Sequence, residues 1–353
     1  MRAYADTLGD AIDRFLPEID YTRVELASET DGRPGGERWQ TVAMPFRLRQ
    51  QRALAPDLWH ILDGSRAYMA AALPKARTVV TAHDIIPWLQ GLRKFPESAP
   101  VGWASRPLWS ANARAMRKFE RVICDSCSTA DDVTNHFSVA ATSCGIVPLP
   151  LRPTLRLLME ASREHESNDR AEGIVLHVGN NAFYKNRRGV IELFAAMDAC
   201  LARRLVMLGP PPNGDLLELV RSLALESRVA WVDDPDDTAL ADWYRRASLL
   251  LFPSLYEGYG WPVLEALSFG LPVVASDRGS LPEIAGAADS CLPLEDTAAI
   301  VRRCMGILHD PQGAARNVAR QQQEALACDT ERFARSMGAV YKAAMQTTSQ
   351  AST

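Results

Sequence analysis

Two carboxylates, Glu257 and Glu265, stand eight positions apart in the stretch SLLLFPSLYEGYGWPVLEALSFGLPVVASDRGSLPEIA, residues 248–285. The apolar run 248–254 has the length of a strand buried on both faces, and Pro253 ends it. Glu257 therefore falls where a strand gives way to a loop. Gly258 and Gly260 permit a tight turn and close approach of the backbone to a ligand, and Pro262 suits the first turn of the helix that carries Glu265. Gly270 and Pro272 stop that helix, and 273–276 resumes as a second buried strand. A helix start offers unpaired N–H groups and the positive end of a dipole, which suits a phosphate, while neighbouring carboxylates suit sugar hydroxyls. Phosphate and sugar together describe a nucleotide sugar. The plainer account is a solvated loop glutamate and an exposed helix glutamate, and the spacing alone does not decide between them.

The wider context does. EGYGWPVLEALSFGLPVVASDRGSLPEIAG resembles the donor-site signature of the family 4 retaining glycosyltransferases, with its E-x7-E and a downstream P-E-[IV]-x-G. The resemblance implies an α/β chain of the GT-B type, two Rossmann-like doubly wound parallel-sheet domains facing a cleft. It also implies that Glu265 holds the ribose hydroxyls and Glu257 the hydroxyls of the transferring sugar, with Gly258, Tyr259 and Gly260 at the donor. Lys185, in HVGNNAFYKNRRGV, matches the lysine of the family's G-R-x4-K segment. It lies beyond a strand end, where an ammonium would face the diphosphate. The glycine of that segment is Gly179, but the arginine expected next is Asn180, and Arg187 or Arg188 is the nearest substitute. Glu283, in DRGSLPE, either meets the nucleotide or caps its helix.

At 353 residues the chain suits two domains, and 47% apolar with 23% charged residues is a soluble globular composition. A net charge of −4 gives no electrostatic case for a nucleic-acid partner. No apolar run reaches the ~20 residues of a membrane span and no signal pattern opens the chain, so a cytoplasmic protein is expected. Seven scattered cysteines argue for reduced thiols, and Cys124-x-x-Cys127 lacks the second pair or histidines of a zinc site.

Taken in order, the chain opens on a helical spacing at Tyr4, Leu8, Ala11, Ile12 and Phe15. The family's usual first strand and glycine-rich turn do not precede it, which means either a late start or a lost portion of the acceptor side. WHILD and RTVVTAHDII read as parallel strands around a short helix. His83 and Asp84 follow the second strand end, and THD matches the family's histidine that contacts the transferring sugar. His60 is better read as a satisfied sheet histidine. Residues 88–121 interleave Arg and Lys with Trp88, Phe95, Trp103 and Trp109. That mixture suits an anionic membrane surface and a membrane-borne acceptor, but a helix with one packed and one solvated basic face is preferred. RVIC is another strand, with Asp125 or Ser126 capping the next helix.

Pro148, Pro150 and Pro153 followed by a charged stretch place a boundary, giving domains 1–152 and 173–330, a linker 153–172, and a last helix in 331–353 that in the family crosses back to the first domain. The second half alternates strand and helix throughout, as a parallel sheet requires. Asp234-Pro235-Asp236 is formally a D-x-D metal motif, but it lies before a helix start, where aspartates cap. No metal cofactor is then expected. The partners implied are a nucleotide-sugar donor and a hydroxyl acceptor. A catalytically inactive nucleotide-sugar-binding subunit is the main rival, and an epimerase or phosphorylase of the same architecture a second.

Overall fold

The computed structural model describes residues 2–26, 44–73, 78–96, 98, 106–163, 170, 172–286 and 290–350. The short apolar runs become strands because β-branched and leucine side chains fill both faces of a covered parallel sheet. β1 (Trp59–Ile61), β2 (Thr78–Ala82), β3 (Val122–Cys124) and β4 (Cys144–Ile146) form a four-stranded parallel sheet in that order. β5 (Ile174–Val178), β6 (Arg204–Leu208), β7 (Val229–Val232), β8 (Leu249–Phe252), β9 (Val273–Ser276) and β10 (Cys291–Leu292) form a six-stranded parallel sheet ordered β10-β9-β8-β5-β6-β7. Two α/β units result. The first comprises Met1–Lys94, Pro100–Pro148 and Thr330–Thr353, and the second Phe95–Ala99 and Leu149–Asp329.

In the second unit the chain runs outward from β5 through β6 to β7, then returns to the other side of β5 and runs outward again through β8, β9 and β10. Crossovers are right-handed, so the reversal sends the helices that join β8 to β9 and β9 to β10 to the opposite face of the sheet and opens a crevice between the carboxyl ends of β5 and β8. Leu176, Leu249, Leu250, Leu251 and Val274 in these strands are fully buried. One contiguous core joins Leu249, Leu251 and Val274 to the helices Arg187–Ala195 and Thr297–His309 through Val190, Ile191, Phe194, Ile300 and Cys304.

Several boundaries differ from those read in the sequence. Pro153 opens a helix, Pro153–Arg163, in the segment read as a linker; a proline in the first turn needs no hydrogen-bonded N–H. Residues 164–169 and 171 of that segment lie outside the described residues. The helix after Lys185 ends at Ala195, and a further helix spans Pro311–Leu326, capped by Asp310 on the Gly313 N–H.

In the first unit the opening helix, Arg2–Phe15, packs against the last one, Thr330–Gln350. Phe333, only 1% exposed, meets Tyr4 edge-on with ring centroids 6.4 Å apart. A Cβ on Gly338 would come 3.1 Å from Leu16, so the two helices approach closely there. The basic-aromatic segment packs its rings and solvates its charges. Trp88 meets Phe137 edge-on at 5.2 Å and Trp109 closes on Gly91, while Arg93, Lys94, Arg114, Arg117 and Lys118 are exposed. Trp103 lies outside the described residues. Phe333→Ala should leave a large void and cost about 3–5 kcal/mol in urea unfolding; a loss below about 1 kcal/mol would show that the last helix is not part of this core.

Candidate functional site

The crevice between β5 and β8 is where Lys185 and Glu257 meet. The turn Phe183–Lys185 follows β5, and Asn186, in the left-handed region at φ 50°, caps the helix Arg187–Ala195 through the Gly189 N–H. The Asn186 side chain also donates to Pro253 O at 2.9 Å, and the Leu255 N–H donates to Tyr184 O at 2.7 Å. These bonds stitch the loop after β5 to the loop after β8. Lys185 Nζ lies 2.8 and 3.0 Å from the two Glu257 carboxylate oxygens, and 5.2 Å from the centre of the Phe252 ring. Glu257 is buried, so its charge is tolerable only because this ammonium and its hydrogen bonds replace water. Phe95 packs on Phe183 and Tyr256, the residues flanking this pair, at centroid distances of 5.2 and 6.1 Å.

A third loop completes the surround. The Ser280 N–H donates to Glu257 O at 3.1 Å and its hydroxyl to Tyr259 O at 2.6 Å. This approach requires glycine at 279, where φ is +57° and a Cβ would fall 2.3 Å from Glu257 O. Gly260, at φ +100°, starts the helix Trp261–Ser268 with no side-chain cap, and the loop residue Gly258 is buried with it. The start of that helix therefore brings its positive dipole end beside Glu257, while Pro262 has no N–H and the Val263 and Leu264 N–H groups donate to Gly260 O.

Glu265 lies one turn further on and is 3% exposed, the opposite of a solvated helix glutamate. Arg152 Nε donates to its Oε1 and the Tyr244 hydroxyl to its Oε2, each at 2.7 Å. The other expected donor residues are placed as follows. Asn180 is exposed and its Oδ1 accepts from the Ala182 N–H, so it shapes its own loop. Gly179 sits against Lys185 and the buried His177, which burial pushes down to about 3 and keeps neutral. Arg187 is buried: it donates to Asn181 Oδ1 and to Pro210 O, and lies over the Trp231 ring. Arg188 is exposed beside Glu192. Neither arginine substitutes at the position of Asn180; Arg187 braces the loop instead. The Tyr259 hydroxyl is buried on Leu149 O at 2.6 Å. Glu283 is exposed in the first turn of Leu281–Ala285. Arg152 and Tyr244 had no signal in the sequence, because both reach Glu265 across more than twenty positions.

With this geometry in hand, the comparisons are decisive about kinship. Residues 172–310 match the family model described as glycosyl transferases group 1, and residues 6–150 match the glycosyl transferase 4-like domain. The chain belongs to the group 1, family 4 glycosyltransferases. It is similar to the O-antigen chain mannosyltransferase B of Escherichia coli, 31% identical over 43% of this chain and 42% of that one. It is also similar to the MMP alpha-(1→4)-mannosyltransferase of Mycolicibacterium hassiacum, 28% identical over 56% and 48%. The chain thus spans about half the length of these relatives. Its fold is that of the sucrose-phosphate synthase from Thermosynechococcus elongatus, at TM-score 0.72, 20% identity, and coverage of 92% and 84%. It is also that of Anabaena HepE solved with UDP and glucose, at 0.69, 17%, and 89% and 84%. These GT-B neighbours show the fold alone.

His83 belongs to the first unit, just past β2. Its Nδ1 lies 2.5 Å from Asp125 Oδ2 and its Nε2 2.9 Å from Leu62 O. Leu62 O is an acceptor, so Nε2 carries a proton; Nδ1 shares its hydrogen bond with Asp125, whose own carboxyl burial pushes up. Burial alone would lower the His83 pKa, but the Asp125 charge and hydrogen bond raise it above the ordinary value. His60, by contrast, bridges the Tyr341 hydroxyl and Thr81 Oγ1 at 2.8 and 2.7 Å, and burial takes it down to about 3. Ser126 caps the helix Cys127–Phe137 through the Thr129 N–H, and Asp236 caps Asp237–Arg246 through the Ala239 N–H. Among the described residues no cluster of His, Cys, Asp or Glu is arranged to hold a metal, and no helix is long and apolar enough to cross a membrane. All seven cysteines are free thiols.

The His83 pair carries a pH signature. A proton held more tightly in the folded state stabilises it fully below the unfolded imidazole value of ~6.5, and that stabilisation is lost as pH rises through the raised folded value. Within that window the stability should fall by about 1.4 kcal/mol per pH unit for this proton. Urea unfolding from pH 6 upward should show the decline, and Asp125→Asn should flatten it. A wild-type profile with no decline in that window would contradict a raised His83 pKa.

Proposed function

We propose that the chain is a retaining glycosyltransferase that moves a hexose from a nucleoside diphosphate sugar to a hydroxyl acceptor without a metal. The observation that carries this reading is the Lys185–Glu257 pair at the switch point of the second sheet, beside a helix start with no side-chain cap. Switch points are where such sheets bind nucleotides. An ammonium and a helix N-terminus compensate a diphosphate, most usefully as charge builds on the leaving phosphate. Once Lys185 turns to the phosphates, the Glu257 carboxylate is released to accept hydrogen bonds from the sugar hydroxyls. Glu265 takes the ribose.

Binding of UDP by the structural neighbour HepE supports a nucleotide-sugar donor, and the mannosyltransferase names of the relatives support a hexose and a glycan-like acceptor. A membrane-borne acceptor is compatible with the exposed basic residues between Arg93 and Lys118. Asn180, which stands where the family has an arginine, favours a second reading, a binding-only subunit. Incubation with UDP, GDP, ADP and TDP sugars separates the two. Transfer or slow donor hydrolysis is expected, with Glu257→Gln and Lys185→Met each lowering kcat by about 10²–10³. Tight nucleotide binding with no turnover on any donor would instead establish the binding-only subunit.

A further inference from the structure

Glu265 is the better defined of the two acids, and its definition comes from outside its own helix. It is almost fully buried, and each carboxylate oxygen accepts one strong hydrogen bond, from Arg152 Nε on Oε1 and from the Tyr244 hydroxyl on Oε2, both at 2.7 Å. Arg152 is anchored in turn, because its Nη1 donates to Asp237 Oδ1 at 2.7 Å in the first turn of Asp237–Arg246. Tyr244 lies on the same helix seven residues later, is fully buried and stacks on Phe269 with centroids 5.7 Å apart. One helix therefore holds both props of the carboxylate.

The protonation states follow from the surroundings. Burial disfavours the charged guanidinium, but the charges of Glu265 and Asp237 outweigh it and raise the Arg152 pKa. Burial and the Glu265 charge raise that of Tyr244, so the phenol keeps its proton and donates it. A carboxylate has about four acceptor sites. Two are filled, one on each oxygen, which fixes the plane of the group and leaves one lone pair per oxygen. Two lone pairs side by side, on oxygens that cannot rotate, match a pair of vicinal hydroxyls.

We propose that Arg152 and Tyr244 are positioning residues that make Glu265 a reader of the ribose cis-diol, and so set the preference of this site for ribonucleotides over 2′-deoxyribonucleotides. The inference rests on the reading above that Glu265 faces the ribose. Neither residue touches the sugar; each acts by holding the carboxylate that does. Removing a hydroxyl leaves a charged acceptor short of a partner. Losing a hydrogen bond to a charged group corresponds to roughly ten- to hundredfold in affinity.

The test is calorimetric titration of the full chain with UDP, GDP and ADP and with their 2′-deoxy counterparts, TDP among the 2′-deoxy set, recorded as the ratio of the two dissociation constants for whichever base binds. The wild type should favour the ribonucleotide by about tenfold or more. Tyr244→Phe keeps the ring stack and deletes one prop, and should cut that ratio severalfold. Arg152→Met should reduce it toward unity, with Arg152→Lys intermediate because a lysine cannot reproduce the fork shared between Glu265 and Asp237. A merely structural arginine or tyrosine would lower the melting temperature and weaken both nucleotides alike, leaving the ratio at the wild-type value. That result, with Glu265→Gln still collapsing the ratio, would overturn the proposal. A Glu265→Gln variant that keeps the wild-type ratio, or a chain that binds none of these nucleotides, would overturn the underlying ribose reading instead.

Discussion

The second unit depends on a single electrostatic constraint: an acid placed at the dry edge of a parallel sheet must have a cation within reach. Glu257 leaves β8 into a loop whose carbonyls are already committed to Ser280, and it is shielded from water. An isolated carboxylate there would cost several kcal/mol. Lys185 supplies the charge, but only because the strand order puts the loop after β5 next to the loop after β8. Asn186 to Pro253 and Leu255 to Tyr184 hold the loops at that spacing. The topology, the inter-loop bonds and the glycine at 279 therefore serve one requirement.

How far this was legible in the sequence varied with the range of the interaction. The strands of the second sheet could be read because each is a short apolar run, and their burial on both faces is a property of the run itself. Glu257, Gly258 and Gly260 could be read because a turn at a strand end has local chemistry. The fate of Glu265 could not. A lone glutamate in a helix carries no sign of whether an arginine from residue 152 will bury it, and the first domain read from the sequence ends at Arg152, just before the linker at 153–172. The prolines there misled because Pro153 sits in the first turn of a helix, where a missing N–H is harmless.

Asn180 shows the opposite case. The sequence marked it as a departure from the arginine of the family's segment and offered Arg187 or Arg188 as the replacement. The structure commits Arg187 to Asn181 and Pro210, in a buried setting against Trp231, while Asn180 folds back on the Ala182 N–H. A loop built around two asparagines and a bracing arginine is held by neutral hydrogen bonds and one internal cation. Lys185 is then the side chain in that loop that pairs with the acid of the crevice.

The two acids of the second unit have been given different kinds of partner, and the difference is physical. Glu257 faces a lysine, a point charge on a flexible stem that can turn from a carboxylate to a phosphate by rotating a few bonds. Glu265 faces a planar guanidinium and a phenol, both tied to one helix, and neither can leave without abandoning another bond or a buried stack. A site that must rearrange charge as a bond breaks needs the first arrangement. A site that only has to recognise a fixed shape needs the second. The fold provides both within one turn of a single helix, the labile pair at its start and the rigid set behind it.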